Sequence, residues 1–299
     1  MNMRSIRVLL LAATAVALSA CSVNIGDRAD KAPPPPATVP PPPVVAKPGP
    51  EDDPRLLATL YMQQSEELRR LSKQAYALAS LRLPAALKQP GSSALEQTDG
   101  GKGKPPAAIF DVDETVLDNS PHQARAILSG TRNFDLAQWD QWVSEAAATP
   151  MAGAVDFVKE LRRNKVRVVY ITNRECRPRT ANPGDPCPQH AETLANLNKV
   201  GLGPVVPEDL MLKGQNGWPS DKAPRRLEVI KTHRIIMSFG DQFSDMMSVT
   251  RKDDSAARAR IAAEHEALWN TRWIVIPNPT YGQWVDVLPE PNSSVLRTK

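Results

Sequence analysis

The sequence predicts an α/β fold with a parallel sheet. The chain has 299 residues, 41% of them hydrophobic and 23% charged, which suffices for one large domain or two small ones. Four short apolar runs have the composition of buried strands, and helical patterns separate them. Strands alternating with helices are typical of a parallel sheet, which binds ligands at the carboxyl ends of its strands. The predicted strands are 107–110, 166–171, 235–239 and 273–276, and the predicted helices between them are 154–163, 190–200, 223–231 and 255–268.

Composition excludes several classes of protein. The formal net charge is only +4 and no basic run is present, so no nucleic-acid polymer is expected as a partner. Four His and three Cys are too few for a Cys-rich zinc module or a dense disulfide scaffold. No apolar stretch of the sequence reaches the roughly 18 residues that a membrane span requires.

The N-terminus predicts a signal peptide over residues 1–20. Two arginines precede an apolar run at 8–17, for which a buried helix is the alternative. The Leu-Ser-Ala-Cys sequence that follows resembles a bacterial lipobox, which implies that Cys21 is lipidated and anchors the mature protein to a membrane. Ser22 in place of Asp implies, by the same resemblance, an outer-membrane lipoprotein of the bacterial cell envelope, facing the periplasm or the cell surface.

Residues 21–53 predict a linker. The chain contains 29 Pro, and ten of them lie within residues 33–50. This composition favours polyproline II, which rises about 3.1 Å per residue and would hold a domain up to roughly 55 Å from its anchor. A disordered linker with no spacing role is the alternative. Both interpretations place the folded domain at 54–299.

Two of the three cysteines lie in one loop. Cys176 and Cys187 flank a segment rich in Pro and Gly. A signal peptide implies an oxidising compartment, where we expect these two residues to form a disulfide bond. Two unpaired thiols are the alternative.

The first candidate for chemistry follows the strand at 107–110. Residues two apart in an extended stretch point the same way, so the carboxylates of Asp111 and Asp113 are expected near one centre. Two such groups repel unless a cation lies between them or one takes a proton. The pair therefore predicts a nucleophile beside a proton donor, or a Mg²⁺ site of oxygen ligands. An Asp-x-Asp alone is commonly a solvated turn, but the strand before it favours a site.

Three later segments carry polar residues in similar positions. The Thr-Asn-Arg sequence at 172–174 offers a hydroxyl to a phosphate oxygen, or alternatively a helix cap. Lys222 lies where a helix is expected to begin, a suitable place for an anion; Lys213 is the alternative but lacks the helix start. Asp241 and Asp245, four residues apart beyond a strand, suit a hard cation.

In this order the four segments resemble the haloacid dehalogenase superfamily of phosphohydrolases. Their flanks resemble the class C acid phosphatases, which are bacterial lipoproteins, and the likeness covers about residues 55–288. It implies a Rossmann-like parallel sheet with helices on both faces and a smaller α-helical cap lobe. It also implies Mg²⁺-dependent hydrolysis of small-molecule phosphate monoesters, with nucleoside monophosphates among the candidates. The segments that carry the resemblance are 109–117, 139–142, 169–174, 220–226 and 277–284.

The resemblance also implies catalytic roles. Asp111 matches the nucleophile that forms an aspartyl-phosphate, and Asp113 matches the general acid that protonates the leaving oxygen and then activates water. Thr172 matches the phosphate-binding hydroxyl, and Lys222 matches the lysine that neutralises the phosphoryl oxygens. Asn173 and Arg174 are expected to bind substrate beside Thr172.

The metal ligands follow in the same way. Asp241 matches a Mg²⁺ ligand, together with the Asp111 carboxylate and the main-chain carbonyl of Asp113. Asp245 matches a ligand or a residue that orients one.

The cap lobe is expected to combine residues 118–152 with one or two helices at 55–87. His122 stands where the class usually has Tyr, so it is expected either to contact substrate or simply to be exposed. Trp139 and Trp142 are expected in the core of the lobe rather than against substrate.

The sequence therefore predicts a lipid-anchored, Mg²⁺-dependent phosphomonoesterase, and it predicts no oligomeric state. Dehalogenation on the same fold is a weaker alternative, because it needs no proton donor at Asp113. A non-catalytic lipoprotein that binds a phosphorylated ligand is the other alternative, but it would not require both Asp111 and Asp113.

Overall fold

The computed structural model describes residues 49–249, 254–290 and 292–298 of the chain. The predicted signal peptide, Cys21 and most of the predicted linker lie outside these residues and stay predictions. Among the described residues, no helix combines the length and the apolar character that a membrane crossing requires.

Five parallel strands form the central sheet, in the order β5-β4-β1-β6-β7. The other two strands, β2 and β3, form a separate antiparallel pair. The strands are β1 (Pro106–Phe110), β2 (Leu117–Asp118), β3 (Thr149–Pro150), β4 (Arg167–Glu175), β5 (Leu210–Lys213), β6 (Arg234–Gly240) and β7 (Trp273–Val275). Each predicted strand overlaps one of these.

Ten α-helices accompany the strands within the described part of the chain. Each of the four helices predicted between the strands is present, and the one at 154–163 has the predicted bounds. The helices are α1 (Leu56–Gln64), α2 (Glu66–Lys88), α3 (Ser120–Leu128), α4 (Leu136–Glu145), α5 (Ala154–Arg163), α6 (Pro188–Lys199), α7 (Ala223–Thr232), α8 (Phe243–Met246), α9 (Ser255–Glu264) and α10 (Gln283–Asp286).

The sheet is covered on both faces, because alternate residues of its strands enter different apolar clusters. Ala108 and Phe110 of β1 belong to the larger cluster, to which α2, α5 and α6 contribute. Ala107 and Ile109 belong to a second cluster, which includes Val229 of α7. The fold is therefore the predicted α/β fold with a parallel sheet between two helical layers.

The two helices of the N-terminal region pack in different places. Residues 55–87 form two helices, and α1 packs against α3, a helix of the lobe. The longer α2 packs instead on α5 and on the sheet strands β6 and β7. The physical reason is the apolar side of α2, where buried residues such as Tyr76 and Leu83 join the main core. The lobe also contains the β2–β3 pair, which the sequence did not predict.

The sequence also missed the edge strand β5. It is four residues long, and its Leu-Met-Leu-Lys sequence contains no β-branched or aromatic residue. Strand prediction depends on such residues, so this run lacked the usual signal. β5 forms because its backbone completes the edge of the sheet against β4.

A disulfide bond joins Cys176 and Cys187, whose Cα atoms are 4.6 Å apart. Cys176 follows the last residue of β4, and Cys187 is the N-cap of α6. Both side chains pack against the main core. The bond therefore fixes the connection between a central strand and the next helix.

Replacing both cysteines by Ala is expected to lower the free energy of unfolding by about 2–3 kcal/mol, because the unfolded chain loses a closed loop of about a dozen residues. Urea unfolding of the wild type and of Cys176→Ala/Cys187→Ala would measure the difference. Reductant should destabilise the wild type and leave the double variant unchanged. Equal stability of the two proteins would contradict the prediction.

Candidate active site

The predicted motifs meet at the carboxyl edge of the sheet. The chain runs from β1 to β4 and β5 on one side and returns to β6 and β7 on the other, so β1 lies at a switch in strand order. Ligands of open α/β sheets bind in the crevice at such a point. A cavity of about 790 Å³ opens there. Its lining includes the predicted residues Asp111, Asp113, His122, Asn173, Arg174, Lys222 and Asp245.

Three carboxylates form one acidic cluster at this edge. Asp111, Asp241 and Asp245 each place a carboxylate oxygen within 4.8 Å of the others. Thr115 donates from its hydroxyl to Asp111 Oδ2 at 3.4 Å and to Asp241 Oδ1 at 3.2 Å. Asn278 donates to Asp241 Oδ2 at 2.8 Å. The cluster is therefore held by polar groups from two separate parts of the chain.

The acidic cluster carries more negative charge than its surroundings neutralise. Burial raises the pKa of Asp111 to about 7, with Asp245 and Asp113 adding repulsion and Lys222 opposing it. Burial also raises the pKa of Asp241 well above its usual value, and repulsion from Asp245 and Asp111 adds to it. Oxygen donors with a surplus of negative charge fit a hard divalent cation. Asp111, Asp241 and Asp245 are the residues that would hold it.

Lys222 lies at the amino end of α7, directly before the helix begins. Its ammonium group contacts Asp111 Oδ1 and donates to Asp245 Oδ1 at 2.7 Å. Burial alone would lower the pKa of Lys222, but these two carboxylates raise it, so the group is charged. The alternative lysine, Lys213, donates instead to Glu175 Oε1 at 2.5 Å. The structure therefore brings Lys222 to the predicted nucleophile.

The carboxylate of Asp113 is separate from the acidic cluster. Arg174 donates to its Oδ1 from Nη2 at 2.8 Å and from Nε at 3.0 Å. Asn119 donates to the same oxygen at 2.9 Å, and the Thr172 hydroxyl donates to Oδ2 at 3.3 Å. The side chain of Asp113 is thus fixed in one orientation toward the cavity.

Two of the predicted substrate-binding residues have protein partners. Arg174 is buried and bound to Asp113, and its guanidinium carbon lies 5.5 Å from the centre of the Trp139 ring. Asn173 accepts a hydrogen bond on its Oδ1 from Arg225 at 2.7 Å, and it also lines the cavity. The main observed contribution of Arg174 is therefore to hold Asp113, which the sequence did not predict.

His122 lines the cavity and is only 6% exposed, so the alternative of a simply exposed residue is wrong. Its ring meets the Trp139 ring edge-on, with centroids 5.0 Å apart. Burial, and then the charge of Arg125, lower the pKa of His122, which favours its neutral form. Trp142 is buried as expected and donates to Asn119 Oδ1 at 2.7 Å. Trp139 packs against the core and also lines the cavity.

Several residues of the site were missed from the sequence. Glu114 is buried in a backbone conformation with a positive φ of 55°. Its carboxyl accepts a hydrogen bond from the backbone of Asn119 at 2.8 Å and contacts the hydroxyl of Tyr281. Burial raises its pKa well above the usual value, which favours an uncharged carboxyl. The Glu-Thr pair after Asp113 and the Asn-Pro-Thr-Tyr run near the C-terminus were the available signals. Neither signal indicates that Glu114 and Tyr281, which are 167 residues apart in the sequence, are in contact.

Gly240 leaves room for the acidic cluster. It is the last residue of β6, and a Cβ atom there would lie 2.2 Å from the Cβ and Oδ2 atoms of Asp245. Asp245 cannot easily move away, because its Oδ2 accepts from the backbone of Gln242 at 2.9 Å and its Oδ1 binds Lys222. The absence of a side chain at position 240 therefore sets the position of Asp245.

Gly240→Ala is expected to weaken metal binding at least about tenfold. Changes to the groups that orient a metal ligand typically have effects of this size. The concentration of metal ion that gives half-maximal activity would measure the effect. Gly184→Ala is the matched control for a glycine substitution in a folded protein, since Gly184 has no positive φ and the nearest atom to a Cβ there, Asn182 Oδ1, lies 3.8 Å away. Unchanged metal dependence in Gly240→Ala would contradict the prediction.

Comparison with known proteins identifies the family. The family model for the haloacid dehalogenase superfamily, subfamily IIIB (acid phosphatase) matches residues 56–284. Two structures of the class C acid phosphatase from Bacillus anthracis superpose with TM-scores of 0.62 and, with tungstate bound, 0.64. Each is 31% identical and covers 80% of this chain and 92% of that chain.

A curated relative is similar over a shorter stretch. Acid phosphatase 1 from Solanum lycopersicum is 28% identical over 144 residues, which are 46% of this chain and 51% of that protein. The chain thus spans about half the length of this relative. The family match covers most of the described residues, including all four motifs and the cap lobe. The chain therefore belongs to the acid phosphatases of subfamily IIIB of the haloacid dehalogenase superfamily.

Proposed function

We propose that the protein hydrolyses phosphate monoesters through an aspartyl-phosphate on Asp111, with Mg²⁺ as its divalent cation. The observation that carries the proposal is the meeting of three groups in one cavity. A buried carboxylate contacts a buried lysine, and a second carboxylate, Asp113, is fixed apart from the acidic cluster. Phosphoryl transfer depends mostly on positioning and on neutralising charge, and this arrangement provides both.

The first step forms the bond between Asp111 and phosphorus. A carboxylate oxygen of Asp111 attacks phosphorus, and the bond to the ester oxygen breaks. Asp113 gives its proton to the departing oxygen, so the alcohol leaves uncharged. Lys222 and the hydroxyl of Thr172 stabilise the charge on the phosphoryl oxygens. A divalent cation held by Asp111, Asp241 and Asp245 would supply additional positive charge to neutralise the phosphoryl oxygens.

The second step returns the enzyme to its starting state. Asp113, now a carboxylate, accepts a proton from water, and the water oxygen attacks phosphorus. The bond between phosphorus and Asp111 breaks, and orthophosphate leaves. Arg174 and Asn119 hold Asp113 for both steps. One residue thus serves in turn as acid and as base.

Nucleoside monophosphates are the substrates we propose to test first. Four aromatic rings line the cavity, namely His122, Phe134, Trp139 and Tyr281. Flat aromatic rings of this kind can stack on a base. Polar residues such as Gln123, Asn133 and Gln138 also line the cavity and can bind hydroxyl groups of a sugar.

A substrate and metal screen tests the proposal. The purified domain would be treated with EDTA and assayed with an aryl phosphate, sugar phosphates and nucleoside monophosphates, after addition of Mg²⁺ or Ca²⁺. We expect activity only after a divalent cation is returned, with Mg²⁺ the more effective, and inhibition by tungstate, a tetrahedral oxyanion. Turnover that survives removal of the metal would contradict the metal role. Failure to hydrolyse any of the esters would contradict the proposed activity.

We also propose that the protein is an outer-membrane lipoprotein anchored through Cys21. The support is the sequence at 18–21, where a cysteine follows Leu-Ser-Ala. Cys21→Ala is expected to abolish incorporation of labelled palmitate, because the lipobox contains no other acceptor. Cys176→Ala is the control and should keep the label. Label retained by Cys21→Ala would contradict the lipid anchor.

A further inference from the structure

Arg225 connects two of the four motifs. It lies in α7, three residues after Lys222, and its side chain is completely buried. One terminal nitrogen, Nη1, donates to the carbonyl of Thr172 at 2.5 Å. The other, Nη2, donates to Asn173 Oδ1 at 2.7 Å and to the carbonyls of Pro219 at 3.0 Å and Ser220 at 3.2 Å. One guanidinium group therefore joins the end of β4 to the loop that leads into Lys222.

The guanidinium of Arg225 is not paired directly with a carboxylate in the described part of the chain. Among residues 49–249, 254–290 and 292–298, it forms no salt bridge, and its partners are carbonyl and amide oxygens. Its neighbour Arg226, equally buried, donates to Glu96 Oε1 at 2.6 Å from Nη2 and at 3.0 Å from Nε. Burial lowers the pKa of Arg225 to about 10, and attraction to Asp111 opposes this, so the group is charged at neutral pH.

A neutral donor could bind the same carbonyl groups, so hydrogen bonding alone does not explain why a cation is buried at this position. A buried ion without a partner is costly, and such groups are usually paired. The Asp111 carboxylate is the acidic group that raises the pKa of Arg225 most strongly. Arg225 holds the backbone of Thr172, whose hydroxyl donates to Asp113, and it holds the loop that leads to Lys222, whose ammonium contacts Asp111. Its charge therefore lies directly behind two residues that border the space where the proposed function places a phosphoryl group.

We propose that Arg225 is a positioning residue for the phosphoryl group. Arg225 fixes Thr172 and Asn173 against the loop of Lys222, and it adds a positive charge behind them that no carboxylate pairs directly. The proposal depends on the roles that the proposed function gives to Thr172 and Lys222. Arg225 acts through these residues, since it is buried behind them and is not part of the cavity lining.

The geometry requires Arg rather than Lys. The planar guanidinium places several N–H groups in fixed directions, whereas an ammonium is a single point of charge on a flexible stem. Lys at this position would keep the charge but could not span the Thr172 carbonyl, Asn173 and the 219–220 carbonyls together. The two contributions of Arg225 can therefore be separated by substitution.

The experiment compares Arg225→Lys and Arg225→Met with Arg234→Lys as the matched control. Arg234 also donates to backbone carbonyls, those of Ala86, Leu87, Gln89 and Gly91, at 2.7–3.2 Å. It begins β6 and so lies at the amino edge of the sheet, opposite the site. Each variant would be assayed for kcat and KM with an aryl phosphate, for orthophosphate affinity by calorimetry, and for thermal stability.

We expect Arg225→Lys to lower kcat by about 10²-fold, the scale of a misplacement of about 1 Å, while orthophosphate binds nearly as in the wild type. Arg225→Met should in addition weaken orthophosphate binding at least about tenfold, because the charge is lost. Arg234→Lys should change only the thermal stability. Orthophosphate binding needs no turnover, so this part of the test remains valid even if the chemistry proposed for Asp111 fails.

Three outcomes would overturn the proposal. The first is a kcat in Arg225→Lys equal to that of the wild type. The second is an unchanged orthophosphate affinity in folded Arg225→Met. The third is a loss of kcat in Arg234→Lys as large as that in Arg225→Lys, which would show that any lost guanidinium has the same effect. If Arg225→Met does not fold, the kcat and KM of Arg225→Lys against Arg234→Lys decide the question.

Discussion

Asp111→Asn is expected to reduce turnover by at least about 10⁴-fold, since loss of the nucleophile in enzymes with covalent intermediates has effects of this size or larger. The amide has nearly the same shape as the carboxylate and can still lie beside Lys222, whose second partner Asp245 remains. The cavity should therefore persist. We expect the variant to bind orthophosphate or tungstate while it hydrolyses no ester, and this separates loss of chemistry from loss of the site.

Initial rates and calorimetric binding of orthophosphate would be measured on the same preparations. Asp156→Asn is a suitable control, because Asp156 is an exposed carboxylate in the first turn of α5, outside the cavity lining. It should have wild-type rates. An Asp111→Asn protein that turns over at a substantial rate would exclude the covalent mechanism. An inactive variant that also fails to bind phosphate would indicate damage to the site rather than loss of a nucleophile.

Asp113→Asn is expected to have the second-largest effect, and one that depends on the substrate. General acid catalysis typically contributes about 10²–10⁴-fold, and it matters most when the leaving oxygen is strongly basic. An activated aryl phosphate needs little protonation of its leaving group, so its first step should be less affected. The second step also loses its base, and the aspartyl-phosphate is then expected to accumulate.

A series of aryl and alkyl phosphates whose leaving groups differ in pKa would test this. Single-turnover rates should fall more steeply with leaving-group pKa in Asp113→Asn than in the wild type. Intact mass spectrometry should detect one added phosphoryl group in the variant. Asp135→Asn, which removes another cavity carboxylate, serves as the control and should keep the wild-type slope. Equal losses for activated and unactivated esters would contradict the assignment of Asp113 as the acid.

The parts of the structure that could be predicted from the sequence depend on local signals. The strand before Asp111 is a short apolar run, and the helix at 154–163 has apolar residues at helical spacing, so both were found. The acidic pairs follow strands directly in the sequence. Because the carboxyl ends of parallel strands meet at one edge of the sheet, the sequence also predicted that the acidic pairs lie close together.

The parts that were missed depend on contacts between distant residues. Arg174 is 61 residues from Asp113, and Asn278 is 37 residues from Asp241. Nothing in a Thr-Asn-Arg run distinguishes an arginine that binds substrate from one that holds a carboxylate. The surface that α2 covers could not be predicted for a similar reason, because the apolar side of a helix does not specify which surface it packs against. Packing of the complete chain decides such alternatives.

The support of Asp113 has a consequence for exchanging lobes between related enzymes. Asn119 directly precedes α3 as its N-cap residue, and its side chain lies between Asp113 and the indole of Trp142 in α4. Arg174, on the sheet, meets Trp139 of the same helix. A chimaera that grafts a foreign lobe to obtain a new substrate preference would also replace part of the framework around the proton donor. Transplants that carry positions 119, 139 and 142 as one unit should keep their catalytic rate, whereas grafts of the cavity wall alone should lose it.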